Sequence, residues 1–136
     1  MANKRSAVLL LMLISVSLFY SFRIKDNGEG DKWTKTELYF GMSKNSGGNV
    51  SAEEWNAFED SVIIKVFSAG STTIDSKGRW LNENGDVIKE NSKMVIAVNI
   101  MTPELSAAID TVREKYKRYF DQSSVLRIDH EAAVSF

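Results

Sequence analysis

The sequence predicts a single α+β domain in which an antiparallel sheet carries two helices on one face, preceded by an N-terminal hydrophobic helix. Three observations support this prediction: an uncharged apolar run near the N-terminus, apolar residues that alternate with a period of two in several later segments, and two segments of helical period that begin with capping residues. About 110 residues follow the apolar run, which is enough for one domain with one core.

Residues 1–22 are typical of an export signal. Lys4 and Arg5 form a positive start, and residues 6–22 then read SAVLLLMLISVSLFYSF. This run is long for a signal peptide and slightly short for an upright membrane helix, so cleavage after Ser17 and retention as an anchor both stay open. Either outcome predicts an exported protein, periplasmic or secreted, or held in the inner membrane by residues 6–22. Residues 23–32, which are polar and contain glycine, predict a linker, and residues 33–136 form the domain.

Composition excludes several classes of chemistry. The absence of cysteine rules out disulfides, thiolate nucleophiles and cysteine-ligated metals. His130 is the only histidine, so a catalytic triad or a metal site would have to use it. The net charge of −1 and the lack of a Lys/Arg run after the leader argue against nucleic acid as a partner. No cofactor and no metal are predicted.

The first half of the body predicts a strand followed by a helix. From Lys35 onward the inward positions of the strand are Thr36, Leu38, Phe40 and Met42. After a turn-rich stretch at residues 43–49, Ser51 and Glu54 form a capping-box pattern, and Val50 can pack on Trp55 as a hydrophobic staple. The inward stripe of this helix is predicted to be Trp55, Phe58 and Val62.

The second half predicts strands, a second helix and a last strand. Residues 72–75 and 78–81 suggest two short extended pieces around a turn at residues 75–78, and Asn84-Gly85 predicts a hairpin before residues 87–90. Residues 93–100 form the longest apolar strand, which we expect to be central. Thr102 as N-cap with Pro103 at the first position begins the second helix. Its predicted inward residues are Leu105, Ile109, Val112, Tyr116, Tyr119 and Phe120. Residues 124–130 extend again.

This order of elements matches a ferredoxin-like β-α-β-β-α-β plan. In such a plan both helices cover one face of the sheet, which leaves the other face open. A second copy of the chain could cover that face in a homodimer, or the face could carry a ligand.

The body resembles a known family in several short motifs, in order and in spacing. The matching segments are Thr36-Glu37-Leu38-Tyr39-Phe40-Gly41, Ser51 through Trp55 with Phe58, Gly78-Arg79-Trp80, Glu90-Asn91-Ser92-Lys93, Tyr116-Lys117, Phe120 and Gln122-Ser123-Ser124-Val125-Leu126-Arg127. Together they resemble the exported bacterial family catalogued as domain of unknown function number 3574, over about residues 33–136. The resemblance implies export and a shared fold, but no activity.

One segment departs from the family pattern. Where the family usually has an Arg-Phe-Pro-Asp-Gly-Leu-Thr type of segment, residues 65–72 read KVFSAGST, without the proline and the acid. If this loop lines a site in the relatives, the site is altered or lost in this chain.

The candidate site residues are the polar and aromatic positions within the resemblance. The polar candidates, which could converge on one pocket, are Glu37, Arg79, Glu90, Ser92, Lys93, Gln122, Ser124 and Arg127. A buried Glu37 would have the raised pKa that a general acid or base needs. On a solvent face Glu37 would instead pair with Lys93 or Arg127 on a neighbouring strand, and structural ion pairs outnumber catalytic acids.

The remaining candidates each have a structural alternative. Tyr39 and Trp80 could stack on a flat ligand, although aromatic residues more often pack small sheets. Gln122 and Ser124 follow the second helix, and capping its last carbonyls is the favoured role for them. His130 cannot share one ion with both Asp129 and Glu131, because consecutive strand residues point to opposite faces, so an exposed histidine is expected.

Three functions follow from this pattern. The first is an exported envelope domain, not an enzyme, that binds a protein partner or a small ligand through the open sheet face or the hairpin region. The second is a small ferredoxin-like enzyme that uses Glu37 with Arg79 or Lys93 for acid-base chemistry. The third is an interaction factor anchored in the membrane by residues 6–22.

Overall fold

The computed structural model describes residues 32–135. The predicted leader, residues 1–22, and all but the last residue of the predicted linker lie outside the described residues. The elements, in chain order, are β1 (Trp33–Gly41), α1 (Ala52–Phe58), a π-helical segment (Glu59–Ile63), α2 (Ile64–Val66), β2 (Thr72–Leu81), β3 (Val87–Ile100), α3 (Pro103–Phe120) and β4 (Val125–Ala132). This architecture confirms the predicted α+β class.

The four strands form one antiparallel sheet in the order β2-β3-β1-β4. In its centre, Leu38 of β1 lies opposite Val95 of β3 and Arg127 of β4. Because side chains alternate along a strand, the even-numbered residues of β1 all point to one face. This face, which we call the helix face, carries the core together with the helices. The core consists of Leu38, Phe40, Met42, Val50, Trp55, Phe58, Ile63, Phe67, Val95, Ala97, Ile109, Val112, Tyr116, Phe120 and Val125.

Helix α1 begins as predicted. Ser51 Oγ accepts a hydrogen bond from the Glu54 amide at 3.1 Å, and Glu54 Oε2 accepts one from the Ser51 amide at 2.8 Å, which confirms the capping box. The buried stripe then runs from Phe58 to Ile63, five residues later, because the chain passes through a π-helical turn. Val62, the predicted inward residue, therefore packs only against the edge of the core.

Strands β2 and β3 are longer than predicted. The predicted turn at residues 75–78 is wrong, because all four residues pair with β3, from Asp75 opposite Lys93 to Gly78 opposite Glu90. Residues 87–90 and 93–100 likewise belong to one strand of 14 residues. This strand lies between β2 and β1, so the prediction that residues 93–100 are central in the sheet is confirmed. The hairpin at Asn84-Gly85 is confirmed, and Gly85 has the positive φ of 83° that such a turn requires.

Helix α3 also begins as predicted, with Thr102 Oγ1 accepting from the Leu105 amide at 3.2 Å and Pro103 in the first turn. Four of its predicted inward residues are buried, and Leu105 packs against the core. The prediction is wrong for Tyr119, which is 61% exposed because Phe120, one helical turn after Tyr116, takes the core position. None of the helices within residues 32–135 is long and apolar enough to cross a membrane.

Candidate functional site

A recess of about 420 Å³ lies at the end of β1, on the sheet face opposite the helices. We call this face the open face and the cavity the Gly41 recess. Its mainly apolar wall is formed by Tyr39, Trp80, Ile88 and Leu126. Its polar lining includes Glu90, Ser92, Gln122 and Ser124, with the loop that begins at Ser43 closing one end. Six of the ten predicted candidates therefore meet at one place: Tyr39, Trp80, Glu90, Ser92, Gln122 and Ser124.

Gly41 leaves the space in which two polar side chains meet. A Cβ atom on Gly41 would lie 2.6 Å from Glu90 Oε1 and 2.8 Å from Gln122 Oε1, closer than real Cβ contacts occur. The absence of a side chain at position 41 thus lets a carboxylate and an amide converge over the backbone.

Ser43 holds both of these side chains. Its backbone amide donates to Glu90 Oε1 at 3.0 Å, and its carbonyl accepts a hydrogen bond from Gln122 Nε2. The second carboxylate oxygen of Glu90, Oε2, has no hydrogen bond or salt bridge to any residue in 32–135. Glu90 therefore lines the recess with one carboxylate oxygen held by Ser43 and the other without a partner in this part of the chain.

The end of α3 fixes the loop that carries Ser43. Asp121 ends the helix in the left-handed conformation, with φ of 49°. Its carbonyl accepts from the Asn45 amide at 2.9 Å, and its Oδ2 accepts from the Ser46 amide at 2.7 Å. The predicted capping role of Gln122 is confirmed for its backbone, whose amide donates to the Lys117 carbonyl at 3.0 Å, while its side chain lines the recess.

Tyr116 supports the floor of the recess from the core side. Its hydroxyl donates to the Gly41 carbonyl at 2.7 Å, and its ring is fully buried. Burial, followed by the negative charges of Glu90 and Glu54, raises the pKa of Tyr116 well above its ordinary value of 10. The hydroxyl therefore keeps its proton, and keeps donating to Gly41, at any physiological pH.

Replacing Tyr116 with phenylalanine is expected to lower the free energy of unfolding by about 1–3 kcal/mol, because the Gly41 carbonyl loses this donor in a partly buried site. Urea unfolding followed by circular dichroism measures this change. The matched control is Tyr119→Phe in the same helix, whose ring is 61% exposed. Equal losses in the two variants would contradict the role given to the Tyr116 hydroxyl.

Glu37 lies on the open face outside the recess. Its side chain is 13% exposed; Oε1 pairs with Lys35 Nζ at 2.6 Å, and Oε2 accepts from the Tyr39 hydroxyl at 2.8 Å. The predicted pairing with Lys93 or Arg127 is therefore wrong. The Lys35 ammonium, and then the Tyr39 hydroxyl, lower the pKa of Glu37, which is opposite to the shift that a general acid needs. The same hydrogen bond to Glu37 raises the pKa of Tyr39.

The cationic candidates lie on the helix face. Lys93 pairs with Asp75 at 2.5 Å, and its Nζ is 6.0 Å from the Trp55 ring centroid. Arg127 pairs with Asp129 at 2.9 Å and also contacts the N-terminal half of α3. Arg79, next to Trp80 in β2, is exposed on the helix face opposite Lys89. Glu37 therefore does not share a pocket with Arg79 or Lys93, because the sheet lies between them.

His130 is exposed on the open face opposite Lys35, as predicted, whereas Asp129 points to the helix face and accepts from Thr36 Oγ1 at 2.7 Å. Among residues 32–135, no group of three His, Asp or Glu side chains is arranged to hold a metal ion.

Sequence reasoning missed the residues that shape the recess without projecting a charge, namely Gly41, Ser43, Ile88 and Leu126. A signal for Gly41 was present, since a glycine that ends a strand often marks a close approach of other groups to the backbone. Residues 65–72, where the chain departs from the family pattern, do not line the recess, and Phe67 within them is buried in the core.

Comparisons with known proteins agree on the fold. Two solved structures of a phage SAM lyase are similar, each with 16% identity. For the lyase structure in complex with S-methyl-5'-thioadenosine, the alignment covers 75% of this chain and 83% of the lyase chain, with a TM-score of 0.57. For the lyase structure in the apo state, the alignment covers 76% of this chain and 83% of the lyase chain, with a TM-score of 0.56. A search of curated proteins finds no match. Residues 35–136 match a family model described as protein of unknown function, DUF3574. This match covers most of the chain and confirms the resemblance seen in its motifs, so the chain belongs to the DUF3574 family.

Proposed function

We propose that this chain is a ferredoxin-like domain that binds a small ligand in the Gly41 recess, and that the ligand combines a flat ring with hydroxyl or amino groups, as a nucleoside does. The observation that carries the proposal is the meeting of Glu90 and Gln122 over Gly41, beside an exposed indole. The antiparallel strand order β2-β3-β1-β4 supports the ferredoxin-like topology.

Trp80 supplies the surface for the ring. Its side chain is 48% exposed on the open face, and it makes no ring contact with another aromatic residue in 32–135. Leu126, at 55% exposure, extends the apolar wall on the far side of the recess. Stacking a flat ring on an indole of this kind contributes about 1–3 kcal/mol.

Glu90 supplies the polar anchor. Since the Ser43 amide fixes Oε1, the orientation of Oε2 is set before a ligand arrives. A ligand hydroxyl or amino group that donates to this oxygen would form a charge-assisted hydrogen bond, which is about twice as strong as a neutral one. Gln122 Oε1 lies near the same point and offers a second acceptor.

The size of the recess suits a small molecule. A volume of about 420 Å³ falls in the range of ligand pockets, roughly 300–1,000 Å³. The phage lyase of similar fold was solved with S-methyl-5'-thioadenosine, which has both a flat ring and hydroxyl groups. Thioether nucleosides are therefore the first compounds to test.

Isothermal titration of the full-length chain with adenosine and S-methyl-5'-thioadenosine tests the proposal. We expect Glu90→Gln and Trp80→Ala each to weaken binding by about tenfold or more, since each removes at least about 1.4 kcal/mol of contact. The matched controls are Glu83→Gln, an exposed acid in the hairpin turn, and Leu81→Ala, whose side chain lies on the opposite face from Trp80. Unchanged affinity in Glu90→Gln and Trp80→Ala would contradict the site.

A second candidate is catalysis in the same recess, with Glu90 in place of Glu37 as the acid-base group. The observation that favours it is that Glu90 lines a ligand-sized cavity while its Oε2 has no partner among residues 32–135. Incubation with S-adenosylmethionine, followed by chromatography of the products, separates turnover from binding alone. Loss of turnover in Glu90→Gln, but not in Glu37→Gln, is the expected pattern for an enzyme.

Residues 1–22 supply the proposed location. We infer export to the periplasm or beyond, or anchoring in the inner membrane, from the positive start and the apolar run of residues 6–22. Mass spectrometry of the protein from separated cell fractions tests this inference through its N-terminus. A function as a membrane-anchored interaction factor requires that residues 6–22 be retained.

A further inference from the structure

The open face of the sheet is rich in large apolar side chains. No element within residues 32–135 covers it, since the helices all pack on the other face. The cross-strand registers place on it Ile74 from β2, Met94, Ile96 and Val98 from β3, and Leu126 and Ile128 from β4. Ile74 and Leu126 are 42% and 55% exposed. Apart from Lys35, Glu37 and His130, the middle of the open face is therefore largely apolar, as the cores of protein interfaces are.

The size of the open face determines how much surface a partner could bury on it. Four strands about 4.8 Å apart and about nine residues long span roughly 19 Å by 30 Å, which is a plane of about 570 Å². The apolar part of this area falls within the size of the largest apolar patch on a typical monomer, about 300–600 Å², and such a patch is often functional. Two such faces in contact would bury about 1,100 Å², which is just above the roughly 1,000 Å² expected of a specific interface.

The charges on the face indicate which molecule covers it. Lys35 and Glu37 lie two residues apart near the middle of β1, and their side chains pair at 2.6 Å. On this face Ile96 and Ile128 lie on either side of Glu37, and Val98 and His130 lie on either side of Lys35. A two-fold axis passing between the two charged positions would place Lys35 of one copy over the partner's Glu37, and the reverse, so the surface is self-complementary.

We propose that a second copy of this chain covers the open face in a two-fold dimer, and that the partner closes the mouth of the Gly41 recess. The second part rests on the function proposed above. Tyr39, Trp80 and Leu126, which form the wall of the recess, lie on the same open face. A partner seated on this face would exclude water from a ligand stacked on Trp80 and strengthen its hydrogen bond to Glu90.

Sedimentation velocity of the full-length chain, with detergent mass subtracted by density matching where detergent is needed, tests the dimer. We expect the mass of two chains for the wild type. In Lys35→Glu, two acids face each other across the interface, and we expect the dissociation constant to rise by about tenfold or more. The double variant Lys35→Glu with Glu37→Lys restores opposite charges, and with them the dimer. Arg79→Glu, on the helix face, is the matched control.

The measured mass shows which molecule covers the open face. A wild-type mass of one chain would overturn the proposal and indicate that the chain's own residues 6–22, or another molecule, cover the face. Three copies, or a dimer insensitive to both Lys35→Glu and Ile96→Glu, would also overturn it. Circular dichroism of each variant separates dissociation from unfolding. A dimer that binds no nucleoside contradicts the proposed function alone, whereas a monomer that binds one contradicts the dimer alone.

Discussion

Replacing Gly41 with alanine is expected to weaken ligand binding strongly while leaving the fold intact. The new Cβ would lie 2.6 Å from Glu90 Oε1 and 2.8 Å from Gln122 Oε1, so both side chains must move away from it. The Glu90 side chain would then leave the Ser43 amide, and the carboxylate would lose its fixed orientation. Because the displaced atoms are the ends of flexible side chains, we expect the free energy of unfolding to fall by only about 1 kcal/mol.

The measurement is the affinity for S-methyl-5'-thioadenosine, which we expect to fall by about a hundredfold, since both polar anchors are displaced together. Gly78→Ala is the matched control, because it places a methyl group on the same face, where the nearest atoms are 3.7 Å and 3.9 Å away. If Gly41→Ala bound the ligand as tightly as Gly78→Ala does, the recess would not be the binding site.

Replacing Phe40 with alanine is expected to be the most destabilising change on β1. The ring is fully buried and lies edge-on to Trp55 at 5.3 Å and to Tyr116 at 4.7 Å between centroids. Truncation would leave a cavity between the sheet and helices α1 and α3. We expect it to lower the free energy of unfolding by about 3–5 kcal/mol. For a domain of this size that is a large part of the total stability, roughly 5–15 kcal/mol.

Urea unfolding of the Phe40→Ala variant measures this loss. Leu81→Ala, at a residue 67% exposed, removes a side chain of similar kind from a site with little packing and should change stability by less than about 0.5 kcal/mol. If the free energy of unfolding of Phe40→Ala fell by less than about 1 kcal/mol, helices α1 and α3 would not pack on this ring as the structure shows.

Local signals predicted the starts of the helices because each start depends on residues close in sequence. The capping box of Ser51 and Glu54 and the N-cap at Thr102 with Pro103 both form within one helical turn. The alternation of Leu38 and Phe40 likewise predicted which side of β1 is buried.

The errors occurred where distant partners overrode local preference. Asp75-Ser76-Lys77-Gly78 has the composition of a turn, but pairing with Lys93 through Glu90 extends it into a strand. The π-helical turn at Glu59–Ile63 moved the inward position from Val62 to Ile63. In this segment Glu59 accepts hydrogen bonds from Trp55 Nε1 at 3.2 Å and from the Thr73 hydroxyl of β2, a contact that links residues far apart in sequence.

By itself, the sequence determined the family, the α+β class, the buried face of β1 and the inventory of polar residues from which a site could be built. Only the tertiary structure decided which of these residues meet. Glu90 and Gln122 converge over Gly41, whereas Arg79, Lys93 and Arg127 point to the other side of the sheet from Glu37. The reason is that strand register, set by pairing across the whole sheet, determines the face of every side chain, and a shift of one residue would exchange the two sets.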